Sequence, residues 1–266
     1  HRAVKTLQTV DLIAAEDTRH TGKLLQYFSI TTPQISYHDH NRISRIPELL
    51  EKLKAGKTIA LVSDAGTPGI SDPGQELVAA CIDQEITVIP IPGATALIAA
   101  LISSGLNTKR FVFEGFLPTK GKDRQVCLTS LKTETRTLIF YEAPHRILAT
   151  LRDLQTHLGE TRRLAVAREL TKFHEEFWQG TLGQALDYFE GNTPKGEFCL
   201  VLEGLPPTEQ LVLAPEILRS ELEALLDQGM SRSQASRQLA DITQLPRRQL
   251  YQLSLEIKPS TIPSPN

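Results

Sequence analysis

The stretch Thr58–Gln75, TIALVSDAGTPGISDPGQ, constrains the fold of this chain more than any other. Thr58–Val62 is apolar and β-branched, too short for a helix and suited to a buried strand. Ser63-Asp64 then opens a turn that holds Gly66, Pro68, Gly69, Pro73 and Gly74. Asp72 reads as an N-cap, Pro73 as the first helical position and Gln75 as the partner in a capping box. The sequence therefore writes strand, glycine-rich turn, helix. In an open α/β sheet such a turn lies at the carboxyl end of a strand, where ligands bind. It matches neither G-x-G-x-x-G nor G-x-x-x-x-G-K-[ST]. Asp64 and Asp72 would repel a polyphosphate but suit a cationic or zwitterionic ligand. A tight structural turn explains the same residues without a ligand, so this segment alone leaves both readings open.

The alternation of strand and helix extends over most of the chain. Val10–Ala15, Ile35–His38, Ile86–Ile91, Phe111–Phe116, Thr137–Tyr141, Leu164–Ala167, Glu175–Gln179 and Phe198–Leu202 read as strands. Helices are expected over Gly22–Phe28, around Ile43–Leu53, and over Ala94–Ile102, Pro144–Leu158 and Leu182–Phe189. Thr119–Asp123 reads as a polar, mobile stretch. A boundary near Asn107–Arg110 gives two α/β domains, 1–108 and 109–205. Beyond Leu205-Pro206-Pro207 the composition changes to a helical unit, 206–258. It comprises Pro215–Asp227, a helix capped by Ser231, and a third from Leu245-Pro246 to near Ile257. Residues 259–266 are Pro/Ser-rich and expected to be disordered.

Composition removes several classes. A formal charge of −2 over 266 residues carries no global nucleic-acid signature, so any RNA contact must use a local patch. Cys81, Cys127 and Cys199 are far apart in apolar runs, as buried reduced thiols would be, rather than a disulfide or zinc framework. No apolar stretch approaches the roughly 18 residues of a membrane span, and no signal peptide is visible, so a cytoplasmic protein is expected. The first residue is His1, so an initiating segment is expected to be missing.

Polar clusters follow the expected strands: Glu16–His20, His38–Arg42, Ser63–Asp72, Tyr141–Arg146 and Arg168–Glu176. Ligand sites of α/β proteins gather at such ends, although any single member serves equally well as a cap or a surface ion pair. His38-Asp39-His40 sets both imidazoles on one strand face, but nothing completes a metal's ligand count, and no metal is expected. No G-x-S-x-G elbow is present.

Taken together, AAEDTRHTGKLL, YHDHN, SDAGTPGISDPG, PGATA, FEGFLP, FYEAPHR, ARELTK-H-EE and KGEF resemble one family, in this order and over nearly the whole chain. It is the ribosomal RNA small subunit methyltransferase I family, within the tetrapyrrole methylase superfamily. The resemblance implies two α/β domains with S-adenosylmethionine in the cleft between them. It also implies 2′-O-methylation of a cytidine in the decoding region of 16S rRNA by a homodimer. The family's usual opening strand and G-T-P-I-G-N turn are not part of this sequence.

Carried onto these residues, the resemblance makes Ser63, Asp64, Ala65, Gly66, Thr67, Pro68 and Ile70 the cofactor loop, with Thr95 and Ala96 as a second contact. Tyr141, Glu142 and Ala143 are expected over the adenosine, and Gly196, Glu197 and Phe198 near the adenine. A sulfonium is cationic, so nearby carboxylates favour it. The hydroxyl must lose a proton, and Glu16, His38, Glu142, His145, Lys172 and Glu175 are the candidate bases or positioning groups. Arg19, Arg42, Arg146 and Arg168 by the cleft, and Arg232, Arg237, Arg247 and Arg248 in the helical unit, are candidates for RNA contact. A small-molecule tetrapyrrole methylase and a non-catalytic RNA-binding or assembly protein are the competing readings.

Overall fold

The computed structural model describes residues 1–192, 194–206, 215–243 and 245–257. The chain divides into two units, His1–Glu203 and Gly204–Asn266.

In the first unit an opening helix, α1 (Arg2–Thr9), leads into β1 (Leu12–Ala15), α2 (Thr18–Tyr27), β2 (Gln34–Ser36), α3 (Arg42–Lys54), β3 (Ile59–Val62), α4 (Gln75–Asp83) and α5 (Ala96–Ser103). The three strands form a parallel sheet in the order β2-β1-β3. Ile13, Ala14 and Ala15 of β1 are fully buried because helices cover both faces. Leu7 and Leu25 pack on one face, and Leu49, Leu77 and Cys81 on the other.

A five-stranded mixed sheet follows, in the order β4-β5-β8-β6-β7. It is built from β4 (Phe111–Gly115), α6 (Gly121–Ser130), β5 (Thr137–Glu142), α7 (Ile147–Leu158), β6 (Arg163–Arg168), β7 (Glu176–Thr181), α8 (Leu182–Gly191) and β8 (Phe198–Leu202). β4 and β5 are parallel, and the other pairings are antiparallel. One face packs on α6, α7 and α8 through Leu128, Leu151, Leu154 and Ala185. The other receives α5, whose Leu97, Ala100 and Leu101 lie against Ile139, Ala167 and Val201. Cys81, Cys127 and Cys199 are free thiols, and burial pushes Cys199 up to about 12.

Three expectations are corrected. Ile86–Ile91 forms no strand. Pro90 lies inside the run and Pro92 just beyond it, each lacking a ladder donor, and Val88 and Ile89 remain exposed. Part of Thr119–Asp123 belongs to α6 rather than to a polar stretch. The helix is invisible as an amphipathic pattern because its buried face carries Arg124 beside Leu128, while Val126 points outward. Finally, α4 starts after Gly74, not Asp72, and no side chain caps it. Asp72 is thereby left in the loop.

The second unit contains α9 (Pro215–Asp227), α10 (Arg232–Thr243) and α11 (Arg247–Leu255) around Leu218, Leu222, Ala235, Leu239 and Leu250. Ser231 and Gln234 exchange hydrogen bonds at the start of α10 in a capping box. The expected disordered tail lies outside the described residues. Among the described residues no helix is long and apolar enough to cross a membrane.

Candidate active site

The loop after β3 is the hub of the first unit's polar contacts. Glu16, at the end of β1, accepts the Asp64 N–H at 3.1 Å, and Asp64 accepts the Asp17 N–H at 3.2 Å. The two strand ends thus hold each other. Asp17 also caps α2 through the Arg19 N–H, and the Arg19 guanidinium 2.7 Å away holds its carboxyl well below the usual range. Asp64, Ala65 and Gly66 stay exposed, and Gly66 takes φ +70°, which a side chain would strain.

This loop is joined to the second sheet by a short relay. The Thr67 and Thr95 hydroxyls lie 2.8 Å apart, and Thr67 donates to the Ala94 carbonyl at 3.0 Å. Thr95 stands at the N-cap position of α5 with its hydroxyl turned to Thr67, and the Leu97 N–H at the helix start donates to the Tyr141 hydroxyl at 3.2 Å. Tyr141 lies near the end of β5, edge-on to Phe113 of β4. The pairing of β5 with β8 puts Glu142 opposite Phe198. Ser63–Thr67, Thr95-Ala96, Tyr141–Ala143 and Gly196–Phe198 are therefore linked by one chain of contacts. Pro68 and half-exposed Ile70 continue the same loop.

Around β8 the contacts are dense. Glu169 occupies the space where a Cβ on Gly196 would sit, 2.4 Å from its Cγ, and accepts the Glu197 N–H at 2.9 Å. Lys172 bridges Glu169 at 3.1 Å and Glu197 at 2.8 Å, which raises its own pKa and helps lower that of Glu169. Glu175 accepts the Thr171 N–H at 2.6 Å. Arg168 pairs with Glu176 at 2.9 Å, and its Nε is buried without a partner. Glu142, 1% exposed, accepts the Thr150 hydroxyl at 2.6 Å and the Ala143 N–H, with Arg146 at 3.2 Å. Arg146 also donates to the Leu117 carbonyl. His145 is exposed between them and α7.

Near β2, the His38 N–H donates to Asn41 at 2.8 Å, while its Nδ1 is buried without a partner. Arg42 pairs with Asp39 and, at 3.0 Å, with Glu76. Among the described residues no group of three or more His, Cys, Asp or Glu is placed to hold a metal ion. In the helical unit Arg232 donates to the Ser254 and Ile257 carbonyls at 3.1 and 3.0 Å, and Arg247 to Ser233 at 2.8 Å. Arg237 and Arg248 are exposed.

One residue escaped the sequence reading. Arg124 is buried and ties α6 to Asp153, Thr150 and the Pro118 carbonyl. Asp72, whose charge suits a cationic ligand, does not cap α4. It is instead half-buried among Glu16, Asp64 and Asp39, and burial with these charges pushes it up to about 6 against the pull of the Ser63 hydroxyl. The signal was present, since Asp72 closes the same DAGTPGISD loop. The arrangement creates a negative field beside exposed backbone, which favours a cationic ligand.

Residues 1–186 match the family model "Tetrapyrrole (Corrin/Porphyrin) Methylases", and residues 215–258 match "RsmI C-terminal HTH domain". A Synechocystis protein named "Ribosomal RNA small subunit methyltransferase I" is 72% identical over 257 residues, 97% of this chain and 92% of the relative. The chain belongs to the ribosomal RNA small subunit methyltransferase I family. An Escherichia coli O157:H7 protein of the same name is 46% identical over 96% of this chain and 89% of its own length. The fold of this methyltransferase I family member extends further. It resembles the methyltransferase CobJ (TM-score 0.57, 17% identity, 76% of this chain and 87% of that one). A Thermus thermophilus uroporphyrin-III C-methyltransferase "complexed with S-adenyl homocysteine" has TM-score 0.53 at 16% identity, covering 76% and 89%.

Proposed function

We propose that the chain transfers a methyl group from S-adenosylmethionine to the 2′-hydroxyl of a cytidine in the decoding region of 16S rRNA. It acts in the cytoplasm, as a homodimer, on assembled or nearly assembled small subunits. The observation that carries the reading is the relay Thr67–Thr95 and Leu97–Tyr141, which joins the exposed loop after β3 to the ends of β5 and β8. The names of the relatives supply the small-subunit rRNA.

The residues present fit the cofactor. Its sulfonium and ammonium groups suit Glu16, Asp64 and Asp72, and burial first, then the neighbouring carboxylates, raises Asp72. Exposed Ala65 and Gly66 offer backbone, and the Thr67 and Thr95 hydroxyls offer side-chain contacts. When bound, the cofactor supplies an electrophilic methyl group. The chain's own work is to hold that group and the ribose hydroxyl in line, which removes several kcal/mol of barrier. Arg19, Arg42, Arg146 and Arg168 orient phosphates. Arg237 and Arg248 extend the basic surface of the helical unit, while Arg232 and Arg247 also brace it. A flat tetrapyrrole would want an apolar basin, and charged strand ends with a helical unit favour RNA instead.

Calorimetry of the full chain with S-adenosylmethionine tests the reading. Saturable binding that weakens in Asp64→Ala is expected, and no heat of binding from a folded sample would overturn it.

A further inference from the structure

Resting on the proposed methyl transfer to RNA, the geometry points to Phe116–Lys122 as a contact for the single-stranded substrate. The Phe116 ring stacks on an unpaired base, and Lys120 and Lys122 hold the flanking phosphates. Phe116 follows β4, and the turn out of that strand lies against the loop after β3: a Cβ on Gly115 would stand 3.8 Å from the Ser71 Oγ. Phe116 also meets Tyr141, whose hydroxyl takes the Leu97 N–H. The two ring centroids are 6.0 Å apart and the planes cross at 64°. They do not stack face to face, and 48% of Phe116 stays exposed. The ring therefore stands beside the relay that joins the two sheets.

A single exposed aromatic is ordinary on a protein surface. This one differs in how its backbone is held. The next residue, Leu117, is buried, and its carbonyl accepts from Arg146. The following carbonyl, of Pro118, accepts from Arg124 at 2.7 Å. Arg124 is itself buried and donates further to Asp153 at 2.6 Å and Thr150 at 3.1 Å. The Thr150 hydroxyl donates to Glu142 at 2.6 Å, and Glu142 pairs with Arg146 at 3.2 Å. Two guanidiniums, two carboxylates and a hydroxyl thus close on two consecutive carbonyls. A leucine would fill the inner face of α6 without the desolvation that a buried charge suffers. What the arginines add is a fixed peptide at 117–118, and with it a fixed direction for the Phe116 ring.

Beyond this clamp the chain is open and basic. Thr119, Lys120, Gly121 and Lys122 are exposed, and among the described residues neither lysine forms an ion pair. Their acidic neighbour, Asp123, lies in the first turn of α6, where a carboxylate suits the positive end of the helix. A held aromatic ring followed closely by two ammonium groups matches a single strand of RNA, whose bases stack on rings and whose phosphates take the charge. With a net charge of −2, the chain has to supply such groups locally. A cofactor adenine on the same ring would leave Lys120 and Lys122 unexplained, because S-adenosylmethionine carries no phosphate.

The test compares the full chain with Phe116→Ala, Phe116→Leu, Phe116→Tyr and the double variant Lys120→Ala/Lys122→Ala. Affinity for 30S particles is measured with S-adenosylhomocysteine saturating, and affinity for S-adenosylhomocysteine is measured alone. Phe116→Ala should bind the particle roughly 5- to 150-fold more weakly, the worth of one base–aromatic stack. Phe116→Leu should lose nearly as much, because it keeps an apolar contact without a ring, and Phe116→Tyr should bind as wild type does. All three should keep their melting temperature and their affinity for S-adenosylhomocysteine. The double lysine variant should lower the slope of log affinity against log salt by about 0.7 for each lysine removed. In Phe116→Trp the particle should quench indole emission beyond the change seen in wild type, whose one tryptophan is Trp178. Full particle affinity in Phe116→Ala or Phe116→Leu, or an unchanged salt slope, overturns the inference. So does weaker binding of S-adenosylhomocysteine by Phe116→Ala, which would give the ring to the adenine. A wild-type protein that binds the cofactor but neither the particle nor its RNA would instead defeat the proposed function itself.

Discussion

Glu142, at the end of β5, and Asp72, in the loop between β3 and α4, are both carboxylates of the candidate site, yet their surroundings differ. Glu142 is buried and satisfied by Thr150, Ala143 and Arg146. Its replacement by Ala strands Arg146 and should cost about 3 kcal/mol of stability, read by urea denaturation. An unchanged midpoint would deny it that structural duty. Asp72 is raised from 3.8 to about 6, so the folded state holds its proton more tightly than the unfolded state. Stability attributable to it is present below about pH 4 and lost as pH rises through about 6. Asp72→Asn should therefore stabilise the protein by about 1 kcal/mol at pH 7.5, a figure reduced for the partial exposure, with no gain at pH 4. Thermal melts at the two pH values check this, and destabilisation at pH 7.5 would contradict it. The sequence pattern separated these residues poorly. Glu142 was named through a motif, and its burial under three donors depends on α7 folding back over β5. Asp72 matched a cap pattern, but the helix begins later.

At the scale of elements, strands were the most legible, because β1, β5, β6 and β8 are covered on both faces and so read as unbroken apolar runs. The failures have physical causes. Ile86–Ile91 has strand composition but carries a proline within it, and α6 hides its periodicity by burying an arginine. The loop after β3 was readable from its glycines and prolines, but its partners were not. The links from Thr67 to Thr95 and from Leu97 to Tyr141 cross 28 and 44 positions of sequence. Gly66→Val should weaken cofactor affinity before it lowers the melting temperature appreciably, because φ +70° is needed on an exposed turn. Equal affinity in calorimetry would reduce the loop to a plain turn. Gly196→Ala should do more harm to stability, since its Cβ would collide with Glu169 and unseat the bridge to Lys172. A melting temperature within a degree of wild type would show that Glu169 moves aside freely.

For the molecule as a whole, a charge of −2 gives RNA no long-range pull, so affinity must come from placed arginines. Arg237 and Arg248 are exposed, while Arg232 is tied to the end of α11. Replacing the first two by Ala should leave the fold and cofactor affinity intact. It should reduce the dependence of RNA binding on log salt by about one to two phosphate contacts. An unchanged salt slope would leave the helical unit outside the RNA interface. The proposed activity is methyl transfer to one ribose of the small-subunit RNA. It is tested most directly by supplying S-adenosylmethionine labelled in its methyl group together with 30S particles, naked 16S rRNA or free cytidine. Label is expected at a single cytidine 2′-O in the particle and none on the free nucleoside. Equal labelling of free cytidine, or no transfer to RNA by a folded protein that binds the cofactor, would contradict it.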